Sequence, residues 1–135
     1  ILTGAPKTIV FCDTAVESKD PYLFHKTTRR QFYDDAFANE AVGQNHVDVV
    51  FFNERGELTE GSRTNIFVEI GRQIFTPPIA CGLLPGTLRR SLLGDSQSRV
   101  EERVLNQNDL NSADRIFVGN SILGLQPVTI AERLG

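Results

Sequence analysis

The sequence predicts one mixed α/β domain in which a partly antiparallel sheet is flanked by helices. Its length of 135 residues falls within the usual size of a single domain. Strand-like and helix-like stretches alternate along the chain, which is typical of a mixed α/β fold. Near the middle, Arg63–Ile70 and Gln73–Thr76 flank the turn Gly71–Arg72 in the manner of a hairpin. That hairpin argues against a uniform Rossmann-type sheet.

The first half of the chain predicts two buried strands with a helix between them. Lys7–Val16 is rich in apolar and β-branched residues, so we predict a strand there. Over Thr27–Val42 the apolar residues recur at helical spacing, and Gly43 supplies a stop, which predicts a helix. Val47–Phe52 is again apolar and β-branched and precedes a turn at Asn53–Gly56, so we predict the next strand there.

The second half of the chain predicts two short helices and two short strands. A glycine-bounded loop, Gly82–Gly86, precedes an amphipathic stretch, and Asn108 is of a residue type that caps helices. The predicted elements of this half are helices at Thr87–Leu93 and Asp109–Ala113 and strands at Val100–Val104 and Arg115–Val118.

Charge and hydropathy exclude several kinds of partner. The net charge is -3, and the paired arginines Arg29–Arg30 and Arg89–Arg90 are interpreted as solvated helix faces. We therefore expect neither nucleic acid nor an anionic membrane as a partner. No apolar run approaches the roughly 20 residues of a membrane-spanning helix. The N-terminus also lacks the pattern of a signal peptide, so we expect a soluble, cytoplasmic protein.

Signatures of metal binding and of hydrolytic nucleophiles are missing from the sequence. Cys12 and Cys81 lack the spacing of a zinc site, and we interpret both as buried thiols. His25 and His46 do not accompany a G-x-S-x-G motif or a cysteine nucleophile. We therefore predict no metal site and disfavour a Ser or Cys hydrolase.

Two segments in the first half of the chain combine residues in ways that suit chemistry. In His25–Thr28, Lys26 precedes the predicted helix, whose dipole disfavours a positive charge and so favours a neutral, nucleophilic amine. An exposed loop lysine is the alternative. In Leu58–Asn65, Glu60 and the polar run after it lie between apolar strands, where they would line a cleft. A solvated turn explains the same composition.

Two further segments offer hydrogen-bond donors. Gly82–Arg89 runs from a glycine-bounded loop into a predicted helix, whose first backbone N–H groups would suit an anion or a phosphate. This segment is neither a Walker loop nor a G-x-G-x-x-G fingerprint. Phe117–Ser121 ends a predicted strand with amide and hydroxyl side chains, at the kind of sheet edge where ligands bind in α/β folds. Ordinary turn chemistry explains this last segment equally well.

Taken in order, the four segments resemble the C-terminal half of fold type IV pyridoxal-phosphate enzymes. This group includes branched-chain aminotransferases, D-amino acid aminotransferases and aminodeoxychorismate lyases, and the resemblance covers about Tyr22 to Val128. It implies pyridoxal 5'-phosphate as the cofactor, a small-molecule substrate and a homodimer. It also implies a D-amino acid aminotransferase-like C-terminal domain, whose mixed sheet forms a pseudo-barrel with flanking helices.

The resemblance assigns a catalytic role to one lysine and cofactor contacts to several other residues. Lys26 matches the lysine that binds the cofactor covalently, and Glu60 matches the acid that pairs with the nitrogen of the cofactor's pyridine ring. A carboxylate there would keep that nitrogen protonated, so that the ring accepts electrons from a developing carbanion. Lys26, once released, would move the proton.

The remaining contacts implied by the resemblance concern the cofactor's phosphate. Thr87 and Leu88 match the turn whose backbone N–H groups hold it. Asn120 or Ser121 matches the position of a phosphate-binding threonine in aminotransferases. Arg63 falls where the family places a small residue near the phosphate.

Departures from the aminotransferase pattern favour a lyase. Branched-chain aminotransferases have Gly-Ile-Thr where this chain has Gly86-Thr87-Leu88, and a Tyr five residues after the lysine, where this chain has Gln31. The stretches Lys26–Asp34 and Val118–Pro127 look more like aminodeoxychorismate lyases, in particular the lyase segment that some bacteria fuse behind aminodeoxychorismate synthase component I. The resemblance therefore implies 4-amino-4-deoxychorismate lyase, which releases pyruvate and 4-aminobenzoate in folate biosynthesis. A branched-chain or D-amino acid aminotransferase is the alternative.

The absence of methionine and the start at Ile1 predict that the sequence is a piece of a longer protein. Residues 1–135 would form a single domain, and this domain would be the C-terminal half of such an enzyme. The resembled family has a smaller N-terminal domain that supplies an arginine to the phosphate, and nothing before Tyr22 is long enough to be that domain. A piece with little activity, serving in folding or dimerisation, is therefore a second alternative.

Overall fold

The computed structural model describes residues 7–19, 26–41 and 46–131, excluding the side chains of residues 26–29, 40 and 41. Within these residues an 8-stranded mixed sheet is accompanied by three α-helices. The strands are β1 (Lys7–Phe11), β2 (Asp48–Phe52), β3 (Leu58–Gly61), β4 (Asn65–Ile70), β5 (Gln73–Thr76), β6 (Val100–Glu102), β7 (Arg115–Asn120) and β8 (Gly124–Ile130). The helices are α1 (Lys26–Ala36), α2 (Thr87–Gly94) and α3 (Gln107–Asn111).

Both parallel and antiparallel pairs make up the sheet. Its order is β3-β2-β1-β8-β7-β4-β5-β6. The pairs β1–β2, β1–β8 and β5–β6 are parallel, whereas β2–β3, β7–β8, β4–β7 and β4–β5 are antiparallel. The predicted mixed, partly antiparallel α/β fold is therefore confirmed, including the hairpin formed by β4 and β5.

The strand β2 is apolar after its first residue, Asp48, because it is buried on both faces of the sheet. Side chains alternate between the two faces of a strand. Val49 and Phe51 pack with Tyr33 of α1, whereas Val50 belongs to the opposite cluster with Ile9 and others. The prediction of this strand from its apolar run is confirmed, and α1 covers one face of the sheet at this point.

Several element boundaries differ from the predicted ones. The strand β1 ends at Phe11, and Val16 makes only an isolated bridge to Asn53. Helix α3 is capped by Asn106 and not by Asn108. Asn106 accepts a hydrogen bond from the Asp109 backbone, and the Asp109 carboxylate accepts one from the Asn106 backbone. This reciprocal capping box satisfies two N-terminal donors, which a cap at Asn108 would not do.

The helix predicted over residues 27–42 consists of two parts. Helix α1 ends at Ala36 and continues as a π-helical turn, Phe37–Ala41. Val42 and Gly43, the predicted end and stop, lie outside the described residues.

Two strands were not anticipated by the sequence patterns. Leu58–Gly61 forms β3, and all of its residues are buried, so the solvated-turn interpretation is wrong for this part of the polar run. Gly124–Ile130 forms β8, although it contains Pro127. Pro127 pairs with Phe117 of β7, while the described pairing of β8 with β1 starts at Val128. Pro127 has no N–H to donate, and it is tolerated because it precedes the described pairing of β8 with β1.

The two cysteines have different surroundings. Cys81 is buried, as predicted, and burial raises the pKa of its thiol to about 11. Cys12 is only half-buried, because it follows the end of β1 at an open cleft. In the part of the chain that the structure describes, no helix has the length and apolar character to cross a membrane.

Candidate functional site

Polar residues meet at the edge of the sheet where β3 and β7 end and β4 begins. Asn65, the first residue of β4, pairs with Gly119, so it lies beside Asn120, the last residue of β7. Glu60 approaches the same edge from β3. The resulting cleft has a volume of about 170 Å³. It is lined by Arg30, Tyr33, Glu60, Gly61, Ser62, Arg63, Thr64, Asn65, Leu84, Gly86 and Asn120.

The carboxylate of Glu60 is held between a helix and a loop. Glu60 is 6% exposed. Its Oε2 accepts a hydrogen bond from the buried Tyr33 hydroxyl at 2.9 Å, and its Oε1 accepts one from the Leu84 backbone N–H at 3.3 Å. Glu60 therefore links β3 to α1 and to the loop that leads into α2, and these contacts orient a negative charge within the cleft.

Helix α2 begins at the cleft. Its N-cap is Gly86, which provides no side-chain cap, and its first turn contains no acidic residue. A Cβ on Gly86 would lie 2.3 Å from Asn65 Oδ1, so a larger residue does not fit here. The Asn65 side chain also donates to the Leu84 carbonyl at 3.2 Å. This packing fixes the start of α2 at the cleft. The first N–H groups of a helix have no intrahelical partner, so they suit an anion.

Two arginines bring positive charge to the same cleft. Arg30 Nη1 donates to the Ser62 carbonyl at 3.4 Å, and Arg30 Nε lies 3.7 Å from Asp34 Oδ1. The guanidinium of Arg63 stacks over the Phe37 ring at 3.9 Å. Glu60 is the only carboxylate among the described lining residues, which also include two arginines. The cleft therefore favours an anionic ligand that can also donate one hydrogen bond to Glu60.

The structure brings together three of the predicted site residues, Glu60, Arg63 and Asn120. Asn120 Nδ2 donates to the Arg63 carbonyl at 3.0 Å, and its Oδ1 accepts from backbone N–H groups of the following turn. The predicted contact of Asn120 with phosphate stays a prediction, since its amide already orders this edge. Lys26 is the first residue of α1, and its side chain lies outside the described part of the structure.

The other predicted site residues lie near the cleft without lining it. Thr87 and Leu88 are the first residues of α2. Thr87 is exposed, while Leu88 packs on Gly119, where an added Cβ would lie 2.9 Å from Leu88 Cδ2. The Leu88 side chain is therefore used in packing, whereas the exposed Thr87 side chain and the first backbone N–H groups of the helix are available to a ligand. Ser121 is exposed in the turn after β7.

Sequence reasoning missed Tyr33 and Arg30 as site residues. Tyr33 was interpreted as part of the apolar face of the helix, and Arg30 as part of a solvated face. For Tyr33, the missed signal is its spacing from Lys26. Residues seven apart occupy the same face of a helix, so this spacing could have placed Tyr33 and Lys26 at one site.

A larger cleft of about 500 Å³ lies at the opposite end of the sheet, where β1 and β8 end. Its lining consists of Phe11, Cys12, Asp13, Ala15, Phe52, Gln107, Ile130 and Ala131. None of the predicted site residues is among them. The smaller cleft is therefore the better candidate, because the predicted chemistry converges there and not in the larger cavity.

At one edge of the mixed sheet, the smaller cleft thus brings together a buried acid, a helix N-terminus and two arginines. Residues 2–131 match the family described as amino-transferase class IV. The chain belongs to this family, which confirms the resemblance drawn from its four segments.

Similar proteins include both lyases and aminotransferases. A Schizosaccharomyces pombe protein, provisionally named an aminodeoxychorismate lyase, is 29% identical, and the match covers 98% of this chain and 62% of the relative. A crystal structure from Mesorhizobium loti, provisionally assigned as an amino-acid aminotransferase, is 41% identical with a TM-score of 0.82, and the match covers 94% of this chain and 60% of that one.

A second similar structure is a hypothetical aminotransferase from Mycobacterium tuberculosis in its PLP-bound form. It is 20% identical with a TM-score of 0.74, and the match covers 95% of this chain and 49% of that one. The chain therefore spans between about half and about 60% of the length of these relatives.

Proposed function

We propose that this chain forms the cofactor-binding half of a pyridoxal 5'-phosphate enzyme and that the enzyme is a 4-amino-4-deoxychorismate lyase of folate biosynthesis. The observation that carries the cofactor part of this proposal is the buried carboxylate of Glu60, which Tyr33 and Leu84 hold in the cleft. A carboxylate held in this way suits a ligand with a cationic N–H, such as a protonated pyridine ring. The lyase-like stretches Lys26–Asp34 and Val118–Pro127 favour the lyase part.

The remaining groups of the cleft fit the phosphate of the same cofactor. The N-terminus of α2 supplies backbone donors, and the close packing of Gly86 against the Asn65 side chain fixes where this helix begins. We propose that the N–H groups of Thr87 and Leu88 bind the phosphate oxygens. Arg63 would add positive charge near them, since it is among the lining residues of the cleft and its guanidinium stacks on Phe37 close by.

Asn120 and Ser121 complete the proposed phosphate contacts. The Asn120 side chain is tied to the Arg63 carbonyl and to its own turn, so its contribution would be to fix that turn at the edge of the cleft. Ser121 follows in the exposed turn, where its hydroxyl is accessible to a bound phosphate. Together with α2, this turn would hold the anion from two sides.

When bound, pyridoxal phosphate supplies an electron sink for negative charge that develops on the substrate carbon beside the amine. Glu60 would hold a proton at the ring nitrogen and so strengthen that effect. Lys26 would bind the cofactor covalently and, once a substrate amine has replaced it, take the proton from that carbon. In the lyase, pyruvate then leaves and the substrate ring becomes aromatic as 4-aminobenzoate.

A branched-chain or D-amino acid aminotransferase is the alternative function. It is favoured by the 41% identity to the Mesorhizobium loti structure assigned as an amino-acid aminotransferase. Lys26 would then move the same proton to the C4′ carbon of the cofactor. The two reactions therefore require the same lysine and the same acid, and only products distinguish them.

A second alternative is a piece with little activity that serves in folding or dimerisation. The cleft of about 170 Å³ is smaller than the roughly 300–1,000 Å³ of typical small-molecule pockets. A site that a second domain completes would account for this small volume. We also propose a homodimer that acts in the cytoplasm, which sedimentation and cell fractionation would test.

Titration of pyridoxal phosphate into the 135-residue chain tests the cofactor proposal. We expect binding with a change in absorbance, which Lys26→Ala should abolish because the covalent bond is lost. Glu60→Gln should weaken binding about tenfold, the value of one hydrogen bond to a charged group. Glu69→Gln is the matched control, because Glu69 pairs with Arg115 away from the cleft. An unchanged spectrum for Lys26→Ala would remove that lysine from its role.

A product assay distinguishes the two reactions. Protein that contains this whole sequence, loaded with pyridoxal phosphate, is incubated separately with aminodeoxychorismate and with branched-chain and D-amino acids plus a keto acid. The lyase proposal expects pyruvate and 4-aminobenzoate from the first substrate. Transamination without pyruvate release would replace the lyase by the aminotransferase, and cofactor binding without either reaction would favour the inactive piece.

A further inference from the structure

The carboxylate of Asp48 is surrounded by donors from a single turn. Asp48 begins β2 and has no exposed surface. Its Oδ1 accepts from the Ser62 backbone N–H at 3.1 Å and from the Ser62 hydroxyl, as well as from the next residue of β2. Its Oδ2 accepts from the Arg63 N–H at 3.0 Å and from the Thr64 hydroxyl at 2.7 Å. The carboxylate is therefore enclosed by the turn between β3 and β4.

The fit between this carboxylate and its turn leaves no spare room. A Cβ on Gly61 would lie 2.2 Å from Asp48 Oδ2 and 2.6 Å from Thr64 Oγ1. A buried carboxylate is costly unless hydrogen bonds satisfy its oxygens. The donors of the turn supply those bonds, and the carboxylate in turn fixes the path of the backbone over residues 61–64.

The same turn carries several groups of the proposed cofactor site. Glu60 precedes it and Asn65 follows it, and both line the cleft. On its other side, the Ser62 carbonyl accepts a hydrogen bond from Arg30, and the Arg63 carbonyl accepts one from Asn120. The turn thus connects four elements: α1, β7, the end of β3 that carries Glu60 and the start of β4 that carries Asn65.

We propose that Asp48 is a positioning residue that sets the placement of Glu60 and Asn65 in the cleft. This inference rests on the proposed function, because it assigns Asp48 to the site where the cofactor would bind. Asp48 does not line the cleft and acts through the turn alone. A neutral Asn would keep one acceptor oxygen and turn an NH₂ toward donors, so Asp48→Asn is a sharp test.

The matched control is Thr76→Val. Thr76 also has no exposed surface, and its hydroxyl donates to the Ile66 carbonyl at 2.7 Å, outside the cleft. Both variants lose buried hydrogen bonds and should lose stability. Only Asp48→Asn should alter the cleft, so a comparison at equal folded fraction separates positioning from stability.

The first measurement uses NMR of the chain without cofactor. The side-chain amide of Asn65 and the backbone amide of Leu84 report on the two ends of the cleft that the turn places. We expect both resonances to shift in Asp48→Asn and to stay in Thr76→Val. Unchanged resonances in Asp48→Asn would overturn the inference, whether or not the chain binds pyridoxal phosphate.

The second measurement is the affinity for pyridoxal phosphate and the pH midpoint of its bound absorbance. We expect Asp48→Asn to weaken binding on the order of tenfold and to shift the midpoint, because Glu60 no longer meets the ring nitrogen in the same way. A merely structural role would leave the midpoint unchanged. If the wild-type chain binds no cofactor, the proposed function fails, and the NMR result alone decides the role of Asp48.

A milder pair of variants serves if Asp48→Asn does not fold. Thr64→Val removes one donor to Asp48 at nearly constant volume, and we expect a smaller shift of the same resonances and a loss of cofactor affinity of about threefold. Thr64→Ser restores the hydroxyl and should recover most of that loss. Equal behaviour of the valine and serine variants would contradict the proposal.

Discussion

The two ends of the sheet carry clefts of different size and lining. Where β3 and β7 end, a cleft of about 170 Å³ is lined by charged and amide groups that hydrogen bonds hold in place. Where β1, β2 and β8 end, a cleft of about 500 Å³ is lined largely by rings and alkyl groups such as Phe11, Phe52 and Ile130. The larger cleft also contains a thiol, a carboxylate and an amide, from Cys12, Asp13 and Gln107, but none of its lining residues was a predicted site residue. Volume alone would select the larger cleft, whereas the convergence of hydrogen-bonded polar groups from several elements selects the smaller one as the candidate site.

The largest expected effect on stability is at the smaller cleft, where Gly61 has no room for an added methyl group. Gly61→Ala places a Cβ against the Asp48 carboxylate and the Thr64 hydroxyl, so we expect a loss of about 3 kcal/mol in the free energy of unfolding. Denaturant titration measures it. Gly94→Ala is the control, since an added Cβ there meets nothing within 4 Å. A loss below that of the control would mean that the turn yields easily.

Phe52→Ala tests the far end of the sheet. The Phe11 and Phe52 rings are 5.2 Å apart at their centroids, and Phe52 is half-buried. We expect a loss of about 2 kcal/mol, below the cost for a fully buried ring, without a change in affinity for pyridoxal phosphate. Phe52→Leu should recover much of the stability. Weaker cofactor binding by Phe52→Ala at equal folded fraction would show that the two ends are coupled.

A smaller effect is expected at α3, which borders the far cleft through Gln107. Asn106→Ala removes one half of the capping box and should cost about 1 kcal/mol. Asn108→Ala, at the position that the sequence favoured, should cost less than about 0.5 kcal/mol. Thermal unfolding of both variants checks the difference. Equal losses would argue that the capping box contributes nothing.

The smallest effect concerns an exposed charge near the far end. Hydrogen bonds from the hydroxyl and the backbone N–H of Ser18 lower the pKa of Glu54 to about 2, from a usual value of 4.5. A lowered pKa stabilises the fold above pH 4.5, and this contribution is lost as the pH falls toward 2. Glu54→Gln should therefore flatten the pH dependence of stability in that window.

The control for this pH effect is Glu101→Gln. Glu101 is exposed, and its side chain makes no hydrogen bond or ion pair within the described residues. High salt should reduce the effect of Glu54→Gln, because the group is exposed. Parallel pH profiles for wild type and Glu54→Gln would contradict the role of Ser18.

The sequence predicted the elements whose signal is local. The run at Val47–Phe52 predicted β2 because burial on both faces leaves a nearly continuous apolar stretch, which only Asp48 interrupts. The turn at Gly71–Arg72 likewise predicted the β4–β5 hairpin. Strand β8 was missed because Pro127 is unfavourable within a strand unless its place in the ladder is known. Pairing partners that are distant in sequence carry that information, and local patterns do not.

The candidate site shows the same division. Glu60 and Asn120 were predicted through a resemblance that covers about Tyr22 to Val128, and the structure places both at one cleft. Asp48 was overlooked because it lies within an apolar run, and its donors come 14 to 16 residues later. Tyr33 was overlooked because an aromatic residue on an apolar helix face is normally core. The functions of both depend on contacts that only the folded chain makes.

The position of β8 in the sheet also has a consequence for the nascent chain during synthesis. This strand is the last in the described residues, yet it lies between β1, the first described strand, and β7. A nascent chain released from the ribosome only as far as β7 would therefore leave two neighbouring strand edges unpaired. Such edges pair readily with other chains. Synthesis of β8 closes this gap, so the interval before its emergence is the period when the growing chain is most exposed to aggregation.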